Sequence, residues 1–232
     1  MKEFKVENPI FTAPLAGISD KPFRKMISIF KPGLIFTEMI SVEGIVRKQK
    51  KTLSMLDFSE ENYNLSVQLF GNDPEKISDA IQYVESNIKS NIHSININMG
   101  CPVKKIVKSG FGTTLLNSPE LIEKIVNKAG KTIKTYLTIK IRSGWNSNNI
   151  NYLQIGKIAE YNGVSVVIFH PRTASQMYSG KSDWEHIKIL KKNISIPVAG
   201  NGDILTFNDY QLKKNICDYI MIGRGLLFNP FL

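Results

Sequence analysis

Apolar and polar positions follow two different periods along the 232-residue chain. Short runs dense in Ile, Val, Leu, Phe and Met fall at residues 10–15, 34–40, 65–70, 94–99, 136–141, 164–169, 196–199 and 219–222. Each has the length of a strand buried on both faces in a parallel sheet. A Gly, Asp, Asn or Pro break follows each run, and then a segment of helical period. Asp73 is placed to cap a helix that begins at Pro74 and carries the stripe Ile77, Ile81, Val84 and Ile88. Ser118 and Pro119 repeat that device, with Gly130 placed to end the helix. Ser182 and Glu185 have the spacing of a capping box. Residues 149–162 read as another helix, with Gly163 just beyond. Strands alternating with helices predict βαβ units. About eight of them favour a closed α/β (β/α)8 TIM barrel over an open sheet. A dinucleotide fold is further disfavoured because no Gly-x-Gly-x-x-Gly follows the first run.

Length agrees with one barrel domain over residues 1–232, since barrels of roughly 200 to 250 residues are often single domains. No run approaches the roughly 18 apolar residues of a membrane span. The opening Met1-Lys2-Glu3-Phe4-Lys5 lacks the apolar stretch of a secretion signal, so the expected compartment is the cytoplasm. Cys101 and Cys217 are too far apart for a disulfide framework, and with His93, His170 and His186 they have no metal-site spacing, so no metal is expected. The formal charge of +10 favours a polyanionic partner through counterion release. General enrichment in Lys is the competing explanation.

In such a barrel the functional groups cluster where strands end. The residues there are polar: Glu38, Gln68, Asn98 to Cys101, Lys140 with Arg142, His170 with Arg172, Asn201-Gly202-Asp203 and Gly223-Arg224-Gly225. One such residue could be a cap or a solvated side chain, but so many strand ends together point to a site. The glycines beside Asn201, Asp203 and Arg224 suit a phosphate bound by backbone N–H groups. Lys140, on an apolar run, needs an anionic partner. The candidates are a reduced flavin ring, a Schiff base as in aldolases, or an ion pair with Glu38. Cys101 sits between Gly100 and Pro102 in a turn next to Lys104 and Lys105, which favours a reactive thiol. Cys217, before an apolar run, reads as core.

These segments together resemble the tRNA-dihydrouridine synthases, most nearly their bacterial B-type branch. The resemblance is carried by Ala13-Pro-Leu-Ala-Gly-Ile-Ser-Asp20, Gln68-Leu-Phe-Gly71, Asn96-Ile-Asn-Met-Gly-Cys-Pro-Val-Lys-Lys105, Lys140-Ile-Arg-Ser-Gly-Trp145, His170-Pro-Arg-Thr173, Gln176-Met-Tyr-Ser-Gly-Lys181, Gly200-Asn-Gly-Asp203 and Met221-Ile-Gly-Arg-Gly225. It implies an FMN lying along Pro14, Leu15 and Ala16. Gln68 and Lys140 would bond its polar edge, His170 would face it, and Asn201, Gly202, Asp203, Gly223 and Arg224 would hold its phosphate end. It further implies NADPH (or NADH) as reductant and tRNA as substrate, with hydride delivered to C6 of a uridine and a proton given to C5 by Cys101. Lys104, Lys105, Lys108, Arg142 and Arg172 are the expected RNA contacts, and Arg47 to Lys51 form a second basic segment. The alternative is a flavin barrel acting on a free small molecule such as a dihydropyrimidine or dihydroorotate. The family carries a helical C-terminal domain. On this reading the chain stops before its last barrel helix and lacks that domain, and the full-length protein is expected to be monomeric.

Overall fold

The computed structural model describes residues 3–88 and 90–232. Its strands are β1 (Ile10–Thr12), β2 (Ile35–Ser41), β3 (Leu65–Phe70), β4 (Ile92–Met99), β5 (Tyr136–Arg142), β6 (Val166–His170), β7 (Val198–Asn201) and β8 (Tyr219–Ile222). All neighbours run parallel, in the order β1-β8-β7-β6-β5-β4-β3-β2. The ring closes between β1 and β2 through a bridge from Phe11 to Leu34, and the Thr12 N–H donates to Leu34 O at 3.0 Å. This is the (β/α)8 barrel expected from the spacing of the apolar runs. Helices α1 (Lys21–Ser28), α2 (Val42–Val46), α3 (Lys50–Ser54), α4 (Pro74–Asn87), α5 (Lys104–Lys108), α6 (Pro119–Thr132), α7 (Tyr152–Tyr161), α8 (Trp184–Asn193), α9 (Phe207–Lys213) and α10 (Gly225–Phe228) lie between and after them.

Because the side-chain period of a strand is two, each strand feeds two compartments. Outward residues such as Val67, Ile97, Ile139 and Phe169 pack under the helices in the larger core. The inward residues divide the barrel interior into two halves. From β6 round to β2 it is apolar, with Val166, Ile168, Ala199, Met221, Phe11, Leu34 and Phe36 in one cluster. From β3 to β5 it is polar, and Ser66, Gln68, Ser94, Asn96 and Thr138 are all buried there. Phe4 closes the bottom, edge-on to Phe11, Tyr136 and Tyr219.

The helix starts follow local chemistry, except that Ser118 at the start of α6 makes no side-chain cap bond and two further expected caps are corrected. Asp73 caps α4 as its position predicts, accepting from Glu75 N and Lys76 N. The cap of α8 is Asp183 rather than Ser182. Ser182 is drawn away because its N–H donates to Asp203 and its hydroxyl accepts from Arg172. Gly130 does not end α6 but lies within it. A Cβ there would stand 2.7 Å from Asn162 O, so the glycine admits the end of α7.

Candidate functional site

A cavity of about 420 Å³ opens where the strands end. Every residue expected at the catalytic and cofactor positions lines it: Cys101, Pro14, Leu15, Ala16, Gln68, Lys140, His170, Asn201, Gly202, Asp203, Gly223 and Arg224. Arg142 lines it too. The sequence reading placed Asn98 only as a polar strand-end residue and assigned no role to Ile18, Met39 or Tyr178, which also face the cavity. Tyr178 had a usable signal, the one aromatic in the run 175–181.

Cys101 is held by its backbone. Asn98 Oδ1 accepts from the N–H groups of Gly100 and Cys101 at 3.2 and 3.0 Å. Thr113 donates to Cys101 O through its N–H at 3.1 Å and its hydroxyl at 3.2 Å. Gly112, at φ +60°, makes that approach possible, because a Cβ there would lie 2.5 Å from Cys101 O. Arg142 Nε donates to Gly100 O at 3.0 Å. Burial raises the Cys101 thiol above its ordinary range, against the Val103 N–H and the charges of Arg142 and Lys140. The group is therefore a protonated thiol at neutral pH. Cys217 is pushed further by burial, to about 12.

On the facing wall Lys140 donates to Asn201 Oδ1 at 2.8 Å. The ion pair with Glu38 considered from the sequence does not form, because Glu38 accepts from Gly17 N instead. A register shift in β2 between Phe36 and Met39 sets that segment apart from its neighbours. With only a neutral partner, Lys140 is pulled down to about 7, mainly by burial and then by the charge of Arg142. His170 is lowered well below the usual histidine range by burial and by Lys140, Arg142, Arg172 and Arg224 around it, so it is neutral. Its Nε2 faces Arg172 Nη1 at 3.1 Å. Since a guanidinium can only donate, that nitrogen is the acceptor and Nδ1 carries the hydrogen.

Two arginines expected to contact RNA are buried and bond their own chain. Arg172 is 2% exposed. Its donors are spent on Ser179 O, Gly180 O, Ser182, His170 and both oxygens of Asp203. None is left for a nucleic-acid backbone, and the residue instead builds the loop between β6 and α8. Arg142 is also buried and donates to Thr173 O and Met177 O of that loop. Tyr178 is set between Arg142 and Arg224, with guanidinium carbons 5.6 and 5.2 Å from its ring centre. Lys104, Lys105 and Lys108 sit on α5, exposed, just beyond the Cys101 turn.

The cavity therefore has an apolar wall, a thiol at its rim and an excess of positive charge. Asp203 is its one lining carboxylate among the described residues, and Arg172 already engages it. Gly202, at φ +128°, brings backbone close on the β7 side, where a Cβ would strike Ser182 Oγ at 2.3 Å and His170 at 2.8 Å. Such a site suits a planar, partly apolar ligand with an anionic end. Among the described residues no cluster of His, Cys, Asp and Glu could hold a metal, and no helix is long and apolar enough to cross a membrane.

Residues 11–232 match the family described as Dihydrouridine synthase (Dus). The chain is 40% identical over 231 residues to the tRNA-dihydrouridine synthase B of Pasteurella multocida, covering 99% of this chain and 69% of that protein. It is 35% identical to a probable tRNA-dihydrouridine synthase of Rickettsia bellii, covering 98% and 70%. Among solved structures it resembles the 6-hydroxypseudooxynicotine amine oxidase of Pseudomonas geniculata, with a TM-score of 0.70 at 12% identity over 98% of this chain and 46% of that one. It also resembles the old yellow enzyme homologue of Zymomonas mobilis, with a TM-score of 0.63 at 12% identity over 97% and 87%. At that identity the two structures speak for the fold alone.

Proposed function

The chain belongs to the dihydrouridine synthase family, and on that premise we propose that it is a flavin-dependent oxidoreductase that reduces a uridine of tRNA to 5,6-dihydrouridine, with FMN in the barrel mouth, NADPH or NADH as reductant and Cys101 as proton donor. The observation that carries the reading is the pairing, across one cavity, of a protonated thiol with a half-buried lysine whose bonded partner is a neutral amide. The residues fit the flavin. Pro14, Leu15 and Ala16 offer a flat apolar wall, Lys140 offers charge to an electron-rich ring, and Asn201, Gly202, Gly223 and Arg224 suit its phosphate end. Gln68 keeps one amide hydrogen and one lone pair beyond its bonds to Asn96 and Asn98.

When bound, the flavin supplies the hydride that goes to C6 of the uracil ring, having been reduced by the nicotinamide dinucleotide. The chain supplies the rest. Cys101 Sγ–H gives its proton to C5, so the C5=C6 double bond takes up one hydride and one proton. The thiolate left behind lies in the field of Arg142 and Lys140 and regains a proton from solvent. The reacting base must leave its stack to enter a cavity enclosed by strand ends, as for other enzymes that act on bases. Arg142, buried on the cavity wall, is placed to meet that base rather than the RNA backbone. Asp203 orients Arg172 and, at 3.8 Å, faces Arg224.

The test uses the purified protein, unmodified tRNA and NADPH. Dihydrouridine measured by mass spectrometry of digested tRNA, with no reduction of free uracil or uridine, is the expected result. Reduction of a free pyrimidine without action on tRNA would replace this reading by the small-molecule alternative.

A further inference from the structure

The polar half of the barrel interior contains a continuous run of side-chain amides, of which the reading above uses only Gln68. Asn96 Nδ2 donates to Thr138 Oγ1 at 2.8 Å, and Gln68 Nε2 donates to Asn96 Oδ1 at 2.7 Å. Asn98 Nδ2 donates to Gln68 Oε1 at 2.9 Å, and Asn98 Oδ1 accepts the two backbone N–H groups of the Cys101 turn. Each amide has a donor end and an acceptor end, so the chain has a direction. Two backbone donors at one end can meet only an oxygen. That forces every amide below to point the same way, down to a hydroxyl that must accept. Thr138 and Asn96 are fully buried and Gln68 is nearly so, so water cannot stand in for a missing member.

We propose that Asn96, anchored on Thr138, is a positioning residue for the Cys101 thiol: it supplies the acceptor that Gln68 needs for the amide chain to point toward the two backbone donors, and so holds the place of the Gly100–Cys101 backbone. Without the Asn96 oxygen, Gln68 must either leave its buried NH2 unmatched or turn it toward Asn98. Asn98 then turns its oxygen toward Gln68, and the two N–H groups of the turn face an NH2 instead of an acceptor. The buried donors left unmatched are the cost that shifts the turn. The consequence for catalysis rests on the reading of Cys101 as proton donor, but the geometric claim does not.

The decisive comparison is between Asn96→Leu, Asn96→Asp, Thr138→Val and, as a control, Ser94→Ala. Ser94 bonds Ser66 at 2.8 Å one layer below, so its loss breaks a buried polar pair without touching the amide chain. Asn96→Asp keeps an oxygen toward Gln68 and lets the Thr138 hydroxyl rotate to donate to the other, preserving the direction. Two readouts are taken on the protein as purified. One is the rate of Cys101 alkylation by iodoacetamide, followed by peptide mass mapping, and the other is kcat and KM for dihydrouridine formation. In Asn96→Leu, alkylation should rise and kcat should fall by about tenfold, the worth of one or two buried hydrogen bonds. The KM for tRNA should stay within about twofold of the parent. Asn96→Asp should restore both rates, Thr138→Val should move them in the same direction as Asn96→Leu, and Ser94→Ala should move neither. If Asn96→Leu and Thr138→Val match Ser94→Ala in alkylation, the proposal is overturned. If Asn96→Leu does not fold, Thr138→Val against Ser94→Ala decides it alone. If the alkylation pattern holds in a protein that makes no dihydrouridine, the amide chain stands and the assigned reaction falls.

Discussion

Two side chains set the chemistry of the cavity, and each makes a prediction through its protonation. Burial keeps Cys101 a thiol, which is the form a proton donor needs and the opposite of a nucleophilic cysteine. Cys101→Ala should retain flavin and NADPH oxidation while dihydrouridine formation falls by about 10²- to 10⁴-fold, the usual loss of a general acid. Cys217→Ala should leave that rate within about twofold, because Cys217 is tied to Tyr219 O away from the cavity. Product formation at the parent rate by Cys101→Ala would remove the assigned role. Lys140 is the reverse case. Its folded pKa is depressed to about 7 from 10.5, so between those values the unfolded chain holds a proton that the folded chain lacks. Stability contributed by this group therefore rises with pH across that window, and below about 7 the fold must hold a partly desolvated ammonium bonded only to a neutral amide. In flavin-free protein, Lys140→Met should raise the melting temperature by about 4 °C or more at pH 6. The advantage should fade as pH climbs toward 10. An advantage of equal size at both ends of the range would contradict a depressed Lys140.

At the scale of elements, Gly130 shows how packing overrules propensity. In a helix interior Ala is favoured over Gly by about 1 kcal/mol. Yet Gly130→Ala would place a methyl 2.7 Å from Asn162 O, backbone that α6 can avoid only by moving off α7. The substitution should destabilise the protein by about 1–3 kcal/mol in denaturant titration, in the range of an overpacked contact. A gain in stability would mean that the two helices are free to separate. The same competition explains what the sequence made legible. The strands were readable because parallel strands buried on both faces are written as apolar runs, and α4 because Asp73, Pro74 and a full stripe agree. The five-residue helices α2, α3 and α5 were not, since they are too short to show a period. Ser182 lost its cap role to Asp183 through Asp203 and Arg172, residues from other parts of the chain that no local pattern reveals. Arg172 was misplaced for the same reason: its acceptors in the following loop and at Asp203 converge only when β6 and β7 lie side by side. The alternation Ser66-x-Gln68, Ser94-x-Asn96-x-Asn98 and Thr138-x-Lys140 is present in the sequence but hidden within runs read as apolar. Which amide meets which depended on the closed barrel.

For the molecule as a whole, the question is where its excess positive charge acts. Helices run back from the cavity end of the barrel, so their last turns lie at the opposite end. Lys131 and Lys192 are in such last turns, and Lys134 follows α6 just before β5 begins. Lys104, Lys105 and Lys108 are instead on α5, immediately after the Cys101 turn, exposed and beside the cavity. Both sets are lysines at the surface, so general basicity predicts that removing either should weaken tRNA binding equally. A docking surface around the cavity predicts a difference. Every RNA phosphate that a lysine no longer neutralises flattens the dependence of log K on log salt by roughly 0.7 to 0.9. Replacing Lys104, Lys105 and Lys108 together by Ala should therefore lower the slope by about 2 to 3. Affinity should fall severalfold at low salt and the variant should converge on the parent at high salt. Flavin content and NADPH oxidation should be unchanged, since none of the three lines the cavity. Replacing Lys131, Lys134 and Lys192 changes the net charge by the same amount and should leave the slope within about half a unit of the parent. Titrating tRNA at several salt concentrations measures both. Equal slopes for the two triple variants would assign the effect to overall charge and remove α5 from the RNA-binding surface.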